Sequence, residues 1–132
     1  MESTPGLILI VEDHPQTVKV LVRLVEARGF RVVTAHSLAE AREVAAANDI
    51  GFLISDLGLP DGHGGELMRE LHARLGIIGV ALTGYGMDAD VAQAREMGFV
   101  LHLTKPIQIG DLEKALAIAK PELAKPRRRG AQ

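Results

Sequence analysis

Short apolar runs alternate along the chain with stretches whose apolar residues recur every three or four positions. Leu7-Ile8-Leu9-Ile10-Val11 is apolar without alternation, the pattern of a strand covered on both faces of a parallel sheet. Pro15 suits a first helical turn, and Val18, Leu21, Leu24 and Val25 form a helical stripe that ends at Gly29. Phe30–Ala35 is the second predicted strand. Ser37 and Glu40 stand at capping-box spacing, Leu38, Ala41, Val44 and Ala45 make the next helix face, and Asn48 and Asp49 break it. Phe52–Ser55 is the third strand, closed by Asp56 and followed by a glycine-rich loop from Gly58 to Gly65. Glu66–Arg74 is predicted as helix, with Leu67, Met68 and Leu71 inward, and Ile77–Leu82 as a fourth strand closed by Thr83. The next helix, Asp88 to Met97, offers few inward residues (Val91, Ala94, Met97) and should be the least firmly packed. Phe99–Leu103 is the fifth strand, and Ile109–Ala119 the last helix, burying Leu112, Leu116 and Ala119.

The order is (βα)5, an α/β pattern whose short connections favour a parallel sheet with helices on both faces. Five units are too few for a closed eight-stranded barrel. Residues 1–6 form an N-terminal extension, 7–120 the domain, and 121–132 a mobile basic tail or linker. That last stretch has two prolines, the run Arg127-Arg128-Arg129 and no apolar periodicity; a solvated tail is preferred over a nucleic-acid arm. A length of 132 residues suits one domain and leaves no room for a separate full-sized output module.

Composition narrows the chemistry. A formal net charge of -2 argues against a general polyanion binder, and one Tyr, three Phe and no Trp leave few surfaces for stacking single-stranded bases. The absence of cysteine excludes disulfides, thiolate catalysis and cysteine-ligated metal centres, and fits the cytosol. Leu7–Val11 is far too short for a signal core or a membrane span, so a cytoplasmic protein is expected.

The informative polar residues fall at strand ends. Glu12 and Asp13 follow the first strand, Asp56 closes the third, Thr83 the fourth, and Lys105 lies just past the fifth. In an open parallel sheet these carboxyl ends form the binding crevice. Gathering three carboxylates there costs free energy unless positive charge sits among them. Lys105 supplies one charge, and a hard divalent ion such as Mg²⁺ would supply two. Such a pocket can hold a phosphoryl group: the ion and Lys105 neutralise its oxygens, Thr83 donates to another, and one carboxylate attacks phosphorus. Asp56 is the best nucleophile candidate, at the end of the central strand before a flexible loop. Glu12 and Asp13 look like metal ligands, with a backbone carbonyl in the stretch Asp56–Gly58 to complete the shell.

Four blocks carry a resemblance over roughly residues 7 to 120: Leu7–Val11 before Glu12-Asp13; Asp56-Leu57-Gly58-Leu59-Pro60-Asp61 with Gly64; Ala81-Leu82-Thr83-Gly84; and Leu103-Thr104-Lys105-Pro106. In this order and at strand-sized spacing, the chain resembles the bacterial response-regulator receiver domain. That resemblance implies a flavodoxin-like sheet of order 2-1-3-4-5 and a phosphorelay receiver. Asp56 would take a phosphoryl group from the phosphohistidine of a histidine kinase or phosphotransfer protein. Glu12, Asp13 and Asp56, with the Gly58 carbonyl, would hold Mg²⁺ or Mn²⁺, Thr83 and Lys105 would contact phosphoryl oxygens, and Lys105-Pro106 would be cis. The chain would not be an enzyme toward outside substrates, beyond assisting its own phosphorylation and dephosphorylation.

The family commonly carries Tyr or Phe three residues before the lysine; here that position is His102, so the expected switch pairs Thr83 with a histidine. The helix after Thr83, the fifth strand and the last helix would form the changed face, a partner or homodimer surface. The stretches Ala81–Gly86 and Gly98–Pro106 are similar to receivers attached to hybrid sensor histidine kinases. No direct nucleic-acid binding is expected, as nothing downstream resembles a helix-turn-helix. His14, His63 and His72 lack metal-like mutual spacing and are expected at the surface, with His36 in a loop. Two rival functions remain: a non-phosphorylated interaction module, and an aspartyl-phosphate phosphatase. The phosphatase would need an acid where Gly58 stands.

Overall fold

The computed structural model describes residues 5–84 and 88–126, with side chains left aside at 88–90. Its elements are β1 (Leu7–Val11), α1 (Pro15–Glu26), β2 (Val32–Ala35), α2 (Leu38–Ala47), β3 (Ile50–Asp56), β4 (Gly58–Leu59), β5 (Gly62–His63), α3 (Gly64–Leu75), β6 (Gly79–Thr83), α4 (Asp88–Glu96), β7 (Phe99–Thr104) and α5 (Ile109–Ala124). Five parallel strands form one sheet in the order β2-β1-β3-β6-β7. With the β4-β5 hairpin set aside, that is the expected 2-1-3-4-5.

Period-two alternation sorts the sheet into two cores. Leu9, Val11, Leu53 and Ala81 face Leu38, Ala41, Leu67, Met68, Leu71 and Ala94 of α2, α3 and α4. Ile8, Ile10, Phe52, Ile54, Val80, Leu82 and Leu103 face α1 and α5 through Leu21, Val25, Leu112, Leu116 and Leu123. Each such large side chain contributes roughly 1.5–3 kcal/mol on burial. Among the described side chains of α4, only Ala94 is fully buried, in keeping with a lightly held helix.

Register aligns the strand ends. Val11 pairs with Ser55, Asp56 with Leu82 and Thr83 with Thr104, so the residues following these strands emerge along one edge. The order reverses between β1 and β3, the crevice where ligands of such sheets bind.

Three expectations are corrected. The last helix does not stop at Ala119, and the tail does not begin at residue 121: α5 runs through Pro121 to Ala124. Leu123 explains this, being buried and accepting the Gly6 N–H on its carbonyl (3.0 Å), so another turn of apolar contact outweighs the N–H that Pro121 lacks. The same bond ties Gly6, assigned to the N-terminal extension, to the domain; residues 127–132 lie outside the described residues. Second, the glycine-rich stretch from Gly58 holds the β4-β5 hairpin, and α3 begins at Gly64 instead of Glu66. Third, Ser37 accepts from the Glu40 N–H (3.1 Å), but the Glu40 carboxylate reaches back one residue past the N-cap, to the N–H of His36 (2.6 Å), so no capping box closes. The remaining free amides of α2, those of Leu38 and Ala39, donate to Asp61 at 2.8 and 3.0 Å.

Candidate functional site

Glu12, Asp13, Asp56, Thr83 and Lys105 stand along one edge of the sheet, as their strand-end positions predict. The Glu12 side chain is fully buried, and one of its oxygens lies 2.6 Å from Lys105 Nζ. The same ammonium donates to Asp56 Oδ2 at 2.8 Å, so Lys105 bridges the ends of β1 and β3. It is held there by its backbone N–H, which donates to the Thr83 carbonyl (2.8 Å), and the Lys105-Pro106 peptide is cis. Gly58 donates its N–H to Asp56 Oδ1 (3.2 Å). Thr83 is buried, and among the described residues its hydroxyl makes only a long contact of 3.5 Å with the Leu103 carbonyl.

Charge in this crevice is unevenly satisfied. Burial alone would raise the Glu12 carboxyl, but Lys105 and the His14 N–H and ring outweigh it and hold its pKa at about 2. Asp56 moves the other way: burial, reinforced by the Glu12 charge, raises its pKa despite Lys105. Burial works against the Lys105 ammonium as well, yet its two carboxylates win and raise its pKa. Among the described residues, Asp13 Oδ1 is buried without a hydrogen bond, and an unmet buried acceptor costs about 1–3 kcal/mol.

The donor set fits a divalent ion. One ligand atom from each of Glu12, Asp13, His14 and Asp56 can be chosen so that all lie within 4.8 Å of one another. Atoms facing each other across Mg²⁺ at about 2.1 Å each stand about 4.2 Å apart, so small side-chain movements close the shell. The partnerless Asp13 oxygen is what such an ion would satisfy.

The sequence matches the family described as response regulator receiver domain over residues 8–117. The chain belongs to that family. It is 36% identical over 122 residues to the photosynthetic apparatus regulatory protein RegA of Cereibacter sphaeroides, covering 90% of this chain and 65% of RegA. To the KDP operon transcriptional regulatory protein KdpE of Escherichia coli it is 34% identical over 112 residues, covering 85% of this chain and half of KdpE, at 50%. This chain therefore spans between half and two thirds of these regulators. Among solved structures, it is similar to a response regulator protein from Burkholderia pseudomallei with a phosphorylated aspartic acid, calcium ion and citrate. The TM-score is 0.76 and the identity 29%, over 92% of this chain and 75% of that one. The protein is a receiver domain of two-component signalling, built on the flavodoxin-like fold.

Other residues of the receiver were placed differently from expectation or missed. His102 stands half-buried on β7 in a shallow cleft with Val91, Ala94 and Arg95 of α4, on the face assigned to it. Residues 85–87, between Thr83 and the helix expected to shift with it, lie outside the described residues. His14 is exposed, as expected, but it joins the acid cluster: its ring nitrogen lies 2.9 Å from Glu12 Oε2 and 3.4 Å from Asp13 Oδ1. This raises its pKa, chiefly through the Glu12 hydrogen bond. His63 is half-buried and structural, capping α3 by accepting the Gly65 N–H (2.9 Å). Gly64 packs directly on the Asp56 carbonyl, and Ser55 is buried with its hydroxyl on that same oxygen (2.9 Å). Adjacency to Glu12-Asp13 was the available signal for His14; nothing local marks Ser55. Among the described residues, no helix is long and apolar enough to cross a membrane.

Proposed function

We propose that Asp56 is the phosphoacceptor of a two-component relay and that Mg²⁺, or Mn²⁺ in its place, assists the transfer. The observation that carries this reading is the Asp56 carboxylate at the end of β3, bonded to Lys105 at 2.8 Å and clustered with Glu12 and Asp13. An Asp56 oxygen forms the bond to phosphorus, the P–N bond of a phosphohistidine breaks, and its electron pair leaves with the imidazole, which takes up a proton. Lys105 holds the carboxylate in place and then neutralises a phosphoryl oxygen. Glu12, Asp13, Asp56 and the Gly58 carbonyl would hold the ion, which would supply charge neutralisation for the same oxygens. The raised pKa of Asp56 supports this division of labour, because one ammonium does not fully offset burial and the Glu12 charge.

The donor is a histidine kinase or a histidine phosphotransfer protein, alone or fused to this receiver. RegA and KdpE are regulators by name, and the Burkholderia pseudomallei protein carries a phosphorylated aspartic acid and a calcium ion. The chain turns over no outside substrate, since the position two residues past Asp56 is Gly58 and offers no acid for a leaving group. Thr83, whose hydroxyl is weakly engaged, moves to the new dianion, and α4 with His102 follows. That face, α4-β7-α5, is then the partner or homodimer surface.

The test is incubation with Mg²⁺ and acetyl phosphate or phosphoramidate, followed by intact-mass measurement. A gain of one phosphoryl mass, abolished by chelation and by Asp56→Asn, is expected. No adduct from these donors or from a cognate phosphohistidine protein would leave an interaction module, and steady phosphate release from unrelated monoesters a phosphatase.

A further inference from the structure

We infer that His14 gives an imidazole nitrogen to the ion held by Glu12, Asp13 and Asp56, so that this receiver binds transition ions such as Co²⁺ or Ni²⁺ more tightly than an all-oxygen site would. The inference rests on the metal reading proposed above and adds a ligand to it. His14 occupies the N-cap of α1, where a side chain ordinarily turns forward to accept a helix N–H, yet it makes no such bond. The contrast lies within the same molecule: His63, at the N-cap of α3, does cap its helix. The ring of His14 turns back instead. Its Nδ1 meets Glu12 Oε2 at 2.9 Å, and its backbone N–H donates to the same oxygen at 3.0 Å. The turn is set by Pro15 in the first helical position, which fixes the local backbone and places His14 over the acid pair.

The ring is 69% exposed, so it stands at the solvent side of the cluster, while Lys105 binds the other Glu12 oxygen. The same ring nitrogen lies 3.4 Å from Asp13 Oδ1, which makes no hydrogen bond among the described residues, so one ion can take both atoms. Only the His14 half of this contact is exposed, since Glu12 is buried, so the ring can swing from the carboxylate to an ion while Glu12 stays in place. Mg²⁺ keeps oxygen ligands and several waters and gains little from an imidazole. For Co²⁺ and Ni²⁺ a nitrogen ligand is favourable, and affinity rises along the divalent series in that direction. His14 therefore shifts selectivity and leaves the Mg²⁺ affinity nearly untouched.

The test titrates Mg²⁺ and Co²⁺ separately into the full chain and into His14→Gln and Asp13→Asn, at mildly alkaline pH where free imidazole is neutral. Dissociation constants come from calorimetry, and for Co²⁺ the proton spectrum reports a contact-shifted ring resonance of a bound histidine. In His14→Gln, Co²⁺ binding should weaken at least about tenfold, the least that loss of a partner in a metal site ordinarily costs. The shifted resonance should vanish, while the Mg²⁺ affinity stays within about twofold. Asp13→Asn should weaken both ions. Unchanged Co²⁺ affinity in His14→Gln, or a shifted resonance that survives there, overturns the inference while Mg²⁺ binding keeps the metal reading standing. A wild-type chain that binds neither ion overturns both.

Discussion

Gly64→Ala tests how tightly the candidate acceptor is built into the fold. Gly64 opens α3 against the end of β3, and a Cβ there would lie on the Asp56 carbonyl oxygen, 2.8 Å from Ser55 Oγ and 3.1 Å from the Asp56 carbonyl carbon. Alanine brings a gain of about 0.4–1 kcal/mol from the stiffer unfolded chain. Against this stands overpacking at about 1–3 kcal/mol, and here the obstacle is sheet backbone that cannot rotate away. The clash wins, with a net loss of about 1–2 kcal/mol, or about 4–8 °C in Tm for a domain of this size. Gly58→Ala is the matched control, because nothing among the described residues lies within 4 Å of a Cβ there. Thermal unfolding by circular dichroism should show the control at or slightly above the wild-type Tm. Since the displaced carbonyl belongs to Asp56 itself, Gly64→Ala should also slow phosphoryl uptake from acetyl phosphate. A Gly64→Ala protein with wild-type Tm and wild-type uptake would refute the reasoning.

Leu123→Ala, at the buried end of α5, should cost about 2–4 kcal/mol in denaturant unfolding; no change would return the turn after Pro121 to the tail. Without divalent ions, Glu12 should shape the acid limb of stability. Its folded pKa of about 2 lies below its ordinary 4.5, so its contribution is complete above 4.5 and fades as pH falls through about 2. Asp56, with a raised pKa, acts with opposite sign, costing stability at neutral pH and relaxing as it protonates. Glu12→Gln should therefore flatten the loss of Tm below pH 4.5, and an unchanged acid limb would contradict the assignment. Thr83→Ala should keep phosphorylation, seen by mass, and lose the phosphorylation-dependent amide shifts of α4 and β7; retained shifts would remove Thr83 from the switch.

The sheet was legible because each strand of a doubly covered parallel sheet is a short unbroken apolar run, and because polarity resumes abruptly at its end. Glu12, Asp56, Thr83 and Lys105 stand at those breaks, so the crevice could be assembled before any distance was known. What escaped notice depends on contacts distant in sequence or on geometry inside glycine-rich stretches. Asp61 donates nothing to its own loop's legibility, since the amides it caps belong to Leu38 and Ala39. The β4-β5 hairpin has strands of two residues, too short for periodicity to register. Proline disfavours helix interiors, and the contact that carries α5 through Pro121, Leu123 against the N-terminal segment, is invisible locally. His14 has no metal-like spacing to the other histidines, and its partners are the two carboxylates beside it in the chain.

Glu12, Asp13 and Asp56 form a cluster that a divalent ion would stabilise, and Tm as a function of Mg²⁺ concentration measures this directly. An ion bound only by the folded state stabilises it by about 2.7 kcal/mol at a hundredfold excess over its Kd. The prediction is a Tm that climbs with Mg²⁺ for the wild-type chain and stays level for Asp13→Asn. A wild-type Tm indifferent to Mg²⁺ would contradict the central claim.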